Sequence, residues 1–160
     1  MHLAQLNVAR LRYPIDRPEM ADFVNNLETI NGLAERDPGF VWRLKGSEED
    51  PTALVEHDLG DFAVTYSIWT SREALWNYIY KSAHLAFLRR RREWFEHAGG
   101  GANAVLWWVP EGVIPSLAEG IARLEHLRAH GPGPLAFTYK DFHDAADLGD
   151  SWELPAAAPA

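Results

Sequence analysis

The sequence predicts an α+β domain of ferredoxin-like type, a β-α-β-β-α-β sheet with helices on one face. Hydrophobic side chains switch between two-residue and helical spacing in that order through residue 110. No linker divides the 160-residue chain, and a chain of this length is typically one domain. We therefore expect a single domain over residues 1–145, with an appended helix at 116–130 and strand at 135–142. A flexible tail is expected at 146–160.

The first strand and helix follow from the pattern near the N-terminus. Leu6 and Val8 are apolar and alternate with polar neighbours, which predicts a half-buried strand over residues 3–12. From about Pro18, apolar side chains recur at helical spacing, and proline is favoured in a first helical turn. The sequence DPG at 37–39 ends this helix.

The remaining core elements follow in the same way. Strands are predicted at 40–46 and 62–71, and the polar sequence GSEEDPT between them predicts a loop. Ser71 has the side chain of an N-cap and is expected to start one long helix over residues 72–97. The sequence GGGAN ends that helix, and a last core strand is predicted at 104–110.

Composition excludes several classes of function. The formal charge of −8 opposes attraction to a phosphate backbone, so we expect no nucleic-acid partner. Because cysteine is absent, disulfides, thiolate metal sites and cysteine nucleophiles are excluded. The N-terminal sequence lacks the pattern of a signal peptide, and no apolar run approaches the roughly 20 residues of a membrane span. We expect a cytoplasmic protein with no membrane partner.

The segment SAHLAFLRRRREWF raises the question of a basic patch. Four consecutive arginines on a helix point around most of its circumference, so they do not form one basic face. Their positive charge suits a solvated helix C-terminus. A sharper hypothesis is that Arg91 reaches inward to an anionic group, because guanidinium suits carboxylate or phosphate.

The same helix is predicted to carry an aromatic stripe. On a single helix with about 100° per residue, four large rings fall within roughly 40° of one another. His84 and Arg91 lie on the flank of this stripe. The rings belong to Trp76, Tyr80, Phe87 and Trp94.

His84 allows three interpretations. It is a hydrogen-bonded histidine at the edge of the core, a general acid or base, or an axial ligand to haem iron. The sequence alone leaves all three open.

Strand side chains that face the helices would line any internal pocket. Asn7, Trp42, Tyr66 and Trp107 lie on predicted strands, but alternation does not say which strand face meets the helices. We expect most strand aromatics to be core and a subset to shape a cavity.

His126 and His130 have the spacing of two metal ligands on one helix face. The sequence between them lacks the glutamate of H-E-x-x-H, and no third ligand is evident. A polar helix surface is the alternative interpretation.

Several separated segments together resemble one bacterial family. The segments are LAQLNVARLRYPIDRPEMADFVNNLETINGLAERDPGFVWRL, YKSAHLAFLRRRREWFE, LWWVPEG and ARLEHLRAHGPGPLAFTY. They are similar, in the same order, to domain of unknown function 3291, over nearly the whole chain to about Phe142.

The resemblance implies a dimeric α+β barrel, in which the sheets of two chains face each other. That superfamily includes cofactor-free antibiotic-biosynthesis monooxygenases, haem-degrading enzymes, chlorite dismutases and dye-decolourising peroxidases. The segment SAHLAF is similar to the Ser-x-His region of its second helix, which makes His84 the first candidate axial ligand if haem is bound. A shared fold does not by itself supply a function.

Two hypotheses follow. The first is a monooxygenase-like enzyme, either without a cofactor or with haem, that acts on a small hydrophobic or aromatic molecule. His84 would be the base, and Arg91 or Asn7 would stabilise developing negative charge. The expected pocket walls are Trp42, Tyr66, Trp76, Tyr80, Phe87 and Trp107. The second hypothesis is a non-catalytic ligand-binding or interaction dimer, in which the aromatic residues fill core and interface. Both expect a homodimer.

Overall fold

The computed structural model describes residues 1–45, 62–97 and 101–155. The predicted loop at 46–52, part of the GGGAN turn and the end of the predicted tail lie outside these ranges. The strands are β1 (His2–Arg10), β2 (Phe40–Arg43), β3 (Phe62–Trp69) and β4 (Ala104–Val109). The helices are α1 (Ala21–Glu35), α2 (Arg72–Lys81), α3 (His84–Trp94) and α4 (Leu117–His130), with short 3-10 helices at Pro18–Met20 and Ala145–Leu148.

The four strands form one antiparallel sheet in the order β2-β3-β1-β4. The central strand β1 pairs with β3 on one side and β4 on the other, so that Leu6 lies opposite both Tyr66 and Val105. This confirms the ferredoxin-like α+β prediction from the sequence.

The two faces of the sheet carry different helices. On one face, Leu3, Leu106 and Trp108 pack in a core cluster with side chains of α1 and α2. On the other, Ala4, Leu6 and Trp107 share a core cluster with Leu124 and Leu127 of α4. The prediction that the helices lie on one face of the sheet therefore holds for the core helices. The appended α4 covers the opposite face.

The packing of α4 is close because Gly120 faces the sheet. A Cβ atom at Gly120 would lie 3.4 Å from side-chain atoms of both Leu6 and Trp107. The hydroxyl of Ser116 accepts a hydrogen bond from the backbone N–H of Glu119 at 3.2 Å and caps the start of the helix.

The prediction of one long helix over 72–97 is wrong. Ser71 caps α2 as expected, but the chain leaves helical geometry at Ser82, which is extended (φ −106°, ψ 178°). The Ser82 hydroxyl donates to the carbonyl oxygen of Tyr78 and accepts from the backbone N–H of His84. A serine side chain that serves both helix ends replaces the backbone bonds of a continuous helix. The angles assigned to side chains on one continuous helix therefore do not carry over from α2 to α3.

The predicted strand at 135–142 is also wrong. Phe137 exchanges two backbone hydrogen bonds of 2.9 Å with Leu106, but this is an isolated bridge and no strand follows it. Beyond it, Trp152 packs against the core on the α4 side. The described part of the predicted tail is thus in contact with the domain.

Replacing Gly39 by alanine is expected to destabilise the fold. Gly39 is buried in the turn between α1 and β2, and a Cβ there would lie 2.2 Å from the Cβ of Ala74 at the start of α2. We expect the free energy of unfolding to fall by about 1–3 kcal/mol, as in other overpacked sites. Urea unfolding curves measure the change. Gly133→Ala is the control, since a Cβ there meets nothing within 4 Å. Equal losses in both variants would contradict the packing explanation.

Candidate functional site

A cavity of about 710 Å³ lies between the sheet and the helices α1 and α3. Strand alternation brings the odd-numbered side chains of β1 and β3 to this face, including Gln5 and Asn7 from β1 and Thr65, Ser67 and Trp69 from β3. Helix α1 contributes mainly apolar groups such as Phe23, Leu27 and Ile30. A mainly apolar cavity with a few polar groups is typical of a small-molecule site.

His84 lies in the lining of this cavity, at the first position of α3. Its ring is half-buried, with the centroid 4.8 Å from that of Tyr78. Nδ1 is 3.3 Å from the carbonyl oxygen of Ile79. Because a carbonyl oxygen only accepts, this contact places the proton of a neutral ring on Nδ1 and leaves Nε2 with its lone pair.

Burial keeps this ring neutral to lower pH than usual. Desolvation lowers the pKa of His84, and the hydrogen bond to the carbonyl of Ile79 partly opposes that effect. A neutral imidazole with a bare Nε2 can accept a proton or bind a metal.

The stability of the protein should therefore depend on pH through His84. An unfolded histidine has a pKa of about 6.5. As the pH falls through this value, the unfolded chain takes up a proton before the folded ring does, so stability is lost down to the folded pKa. His84→Gln lacks this contribution. Unfolding free energies of both proteins, measured from about pH 7 to about pH 5, should draw together or cross as the pH falls. A constant difference would contradict the pKa direction.

Asn7 and Arg91 also line the cavity, as the first hypothesis requires. Within the described ranges, the half-buried carboxamide of Asn7 makes no hydrogen bond, so it remains available to a ligand. Arg91 is exposed and donates from Nη1 to the carbonyl oxygen of Leu88 at 2.9 Å. The structure thus brings His84, Arg91 and Asn7 to one cavity.

Three of the predicted wall residues also line the cavity, and the other three, Trp42, Trp76 and Trp107, are placed elsewhere. Tyr66, Tyr80 and Phe87 are in the lining. Trp76 is 40% exposed and its ring is tilted against that of Tyr80, with centroids 4.3 Å apart, because α2 turns Leu75 and Ile79 toward the core instead.

Trp42, Tyr66 and Trp107 form an aromatic cluster on the α4 side of the sheet. The rings of Trp42 and Trp107 lie 5.3 and 5.7 Å from that of Tyr66. Tyr66 borders the cavity, but its hydroxyl donates to the carbonyl oxygen of Pro115 at 3.1 Å. Trp42 and Trp107 are not part of the lining, because strand alternation points them into the opposite core, whereas Tyr66 both packs in that core and borders the cavity.

A chain of hydrogen-bonded side chains on the cavity floor was not predicted. Trp69 Nε1 donates to the Ser67 hydroxyl at 2.9 Å, and that hydroxyl donates to Gln5 Oε1 at 3.1 Å. Tyr78 stacks on Trp69, with centroids 5.0 Å apart, and burial raises the pKa of its phenol. The two-residue alternation of β1 and β3 was the signal that could have grouped Gln5 with Ser67.

Tyr139 is a further lining residue that the sequence did not reveal. Its hydroxyl is buried and has no hydrogen-bond partner among the described residues. Burial raises the pKa of this phenol, so it stays protonated. It lies in the segment after α4, whose contact with the core only the structure shows.

The described residues contain no group of three or more ligands placed to hold a metal ion. The rings of His126 and His130 are 4.5 Å apart, and burial together with His130 and Arg123 lowers the pKa of His126. None of the described helices is long and apolar enough to cross a membrane.

The fold and the cavity define an α+β domain with a pocket between an antiparallel sheet and its helices. The chain belongs to the family described as Domain of unknown function (DUF3291), whose model matches residues 2–151. No curated protein matches the chain.

Solved structures with a similar arrangement include two oxygenases. One is SnoaB, a cofactor-independent oxygenase from Streptomyces nogalater, at 16% identity and a TM-score of 0.48, covering 72% of this chain and 98% of that one. Another is a monooxygenase from the gene ActVA-Orf6 of Streptomyces coelicolor, in complex with Nanaomycin D. It has 20% identity and a TM-score of 0.40, and covers 72% of this chain and 92% of that one.

Proposed function

We propose that the protein is a monooxygenase-like enzyme that needs no cofactor and oxidises a hydrophobic or aromatic molecule in this cavity. The observation that carries the proposal is the environment of the His84 ring. Its ring is half-buried in the lining, its Nδ1 contacts the carbonyl oxygen of Ile79, and its Nε2 faces no described protein acceptor or donor. That is the arrangement of a general base held in one tautomer.

The reaction consists of proton transfers around one addition of molecular oxygen. Nε2 of His84 removes a proton from an activated CH₂ group, and the carbanion forms a C–O bond with O₂. The protonated histidine returns the proton to give a hydroperoxide. Removal of the second carbon-bound proton breaks the O–O bond and forms C=O, and the released hydroxide takes that proton to become water. The sum is R₂CH₂ + O₂ → R₂C=O + H₂O, with dissolved O₂ as the oxidant.

The other lining groups have supporting roles. Asn7 offers an unpaired amide N–H to the oxygen on which negative charge develops, and such donors lower barriers in sites that exclude water. Apolar side chains from α1 keep bulk water from the carbanion.

Oxygen uptake tests this proposal. Purified protein, treated with a chelator, is mixed with anthrone, a tricyclic C–H acid, and the rates of O₂ consumption and anthraquinone formation are measured. We expect one O₂ consumed per quinone at a rate well above that without protein. No acceleration across a panel of such acids would contradict the proposal.

Haem binding is the alternative that the same histidine supports. A histidine whose Nδ1–H is held by a carbonyl oxygen presents Nε2 as a metal ligand, so His84 is the residue that would hold haem iron. Wild-type protein reconstituted with haem should then show a Soret band that His84→Ala loses. Absence of the band in the wild type would remove this alternative.

The non-catalytic alternative is an interaction dimer with a filled interior. The cavity beside His84 counts against it. We also propose that the protein is a homodimer, as the family resemblance implies. That resemblance implies facing sheets, but helices cover both faces of this sheet, so we place the interface at the edge strand β2 with its exposed Val41. Light scattering coupled to gel filtration measures the mass, and a monomer of 18.0 kDa would contradict it.

A further inference from the structure

Positive charge without an acidic partner lies at the exposed side of the cavity. Arg91 and Arg92, in the last turn of α3, are both exposed and both belong to the lining. Neither forms an ion pair with an acidic group of the described residues. The formal charge of the whole chain is −8, so this local excess of positive charge opposes the overall balance.

The acidic groups nearby are already engaged. Glu96 is the acidic side chain of the described lining, and its Oε2 is 3.5 Å from Nε of Arg10. Asp22 and Glu93 both pair with Arg90, at 2.9 and 2.8 Å. On the inner side, Arg43 is paired with Glu35 at 2.8 Å. Arg91 and Arg92 therefore remain as the lining guanidinium groups with charge available to a ligand.

The side chain of Arg91 is oriented for this role. Its Nη1 donates to the carbonyl oxygen of Leu88, which holds the guanidinium over the same helix stripe that carries His84. The edge formed by Nε and Nη2 makes no hydrogen bond within the described ranges. Such an edge matches the two oxygens of a carboxylate.

We infer that the natural ligand of the cavity is an aromatic carboxylic acid. Its rings occupy the apolar space between α1 and the sheet, and its carboxylate binds Arg91 and Arg92 at the opening. This inference rests on the proposed function, because it specifies the substrate class of the same cavity. It also explains the arginine run: Arg90 supports the fold, whereas Arg91 and Arg92 recognise the ligand.

The competing explanation is that the arginines only complement the C-terminal end of the α3 dipole. Arg89 separates the two explanations. It lies on the same helix, is exposed, makes no ion pair among the described residues and is not part of the lining. A general effect of helix charge would involve Arg89 as much as its neighbours.

Calorimetric titration of the full chain with three naphthalene probes tests the inference. The probes are 2-naphthoate, its neutral analogue 2-naphthamide and 2-naphthyl phosphate. We expect the naphthoate to bind about fivefold more tightly than the amide at low salt, and this preference to shrink at high salt. Arg91→Gln and the double variant with Arg92→Gln should progressively remove the preference. Arg89→Gln should keep the preference.

The outcomes separate this inference from the proposed function. Equal affinities for naphthoate and amide would overturn the acidic substrate class while leaving the cavity as a binding site. Tighter binding of the phosphate than of the carboxylate would overturn the choice of anion. A preference lost equally in Arg89→Gln would assign it to general helix charge and overturn the inference. Binding of none of the probes would count against the cavity itself and so against the proposed function.

Discussion

His84→Gln is expected to lower the protein-dependent rate of oxygen uptake by about a hundredfold or more, the usual contribution of a positioned general base. Glutamine keeps a polar side chain of similar length but cannot take up the carbon-bound proton. The fold should persist, because the imidazole makes one side-chain hydrogen bond, to Ile79. The measurement is O₂ consumption with anthrone, with circular dichroism to verify that the variant is folded.

The control for this change is His130→Gln. His130 is exposed at the end of α4, on the face of the sheet away from the cavity, so its replacement should leave the rate unchanged. The wild-type rate should also fall at acidic pH only below the usual histidine range, since burial lowers the pKa of His84. A rate in His84→Gln equal to wild type would assign the base to another group.

Arg123→Met is expected to cause the largest loss of stability, about 3 kcal/mol in the free energy of unfolding. The side chain is 0% exposed and donates to the carbonyl oxygens of Leu135 and Trp152, both at 2.7 Å, and to Glu119 at 3.0 Å. Methionine fills similar volume but leaves both carbonyl oxygens without this donor. The C-terminal segment should then separate from α4.

The matched control is Arg128→Met on the same helix. Arg128 is exposed and donates once, from Nε to the carbonyl oxygen of Ala102 at 2.8 Å, so we expect a loss of about 1 kcal/mol or less. Urea unfolding monitored by tryptophan fluorescence compares the two variants. Losses of equal size would show that burial of the Arg123 network does not determine its contribution.

The fold was predictable because each core strand and helix carries its own hydrophobic period. The break between α2 and α3 at Ser82 was not predictable, because a serine within a helical pattern does not by itself indicate that the helix ends. Trp76 lies outside the cavity because α2 turns Leu75 and Ile79 toward the core.

The candidate site was predictable only in part. His84 and Arg91 share the α3 stripe, and helical spacing alone placed them together. For Trp42 and Trp107, alternation gave two possible faces, and the choice depends on which helices cover each face. Only the tertiary structure shows that α4 covers the sheet face on which Trp42 and Trp107 lie. The position of Tyr139 in the lining was not predictable, because the segment that carries it has no periodic hydrophobic pattern.

The placement of α4 has a consequence for how many ligands an assembled protein binds. The cavity lies on the sheet face opposite α4, between the sheet and helices of the same chain. In a homodimer that joins through the β2 edge, each subunit would keep a complete pocket. Titration should then follow a simple hyperbola that saturates at one ligand per chain, and occupation of one subunit should leave the affinity of the other unchanged.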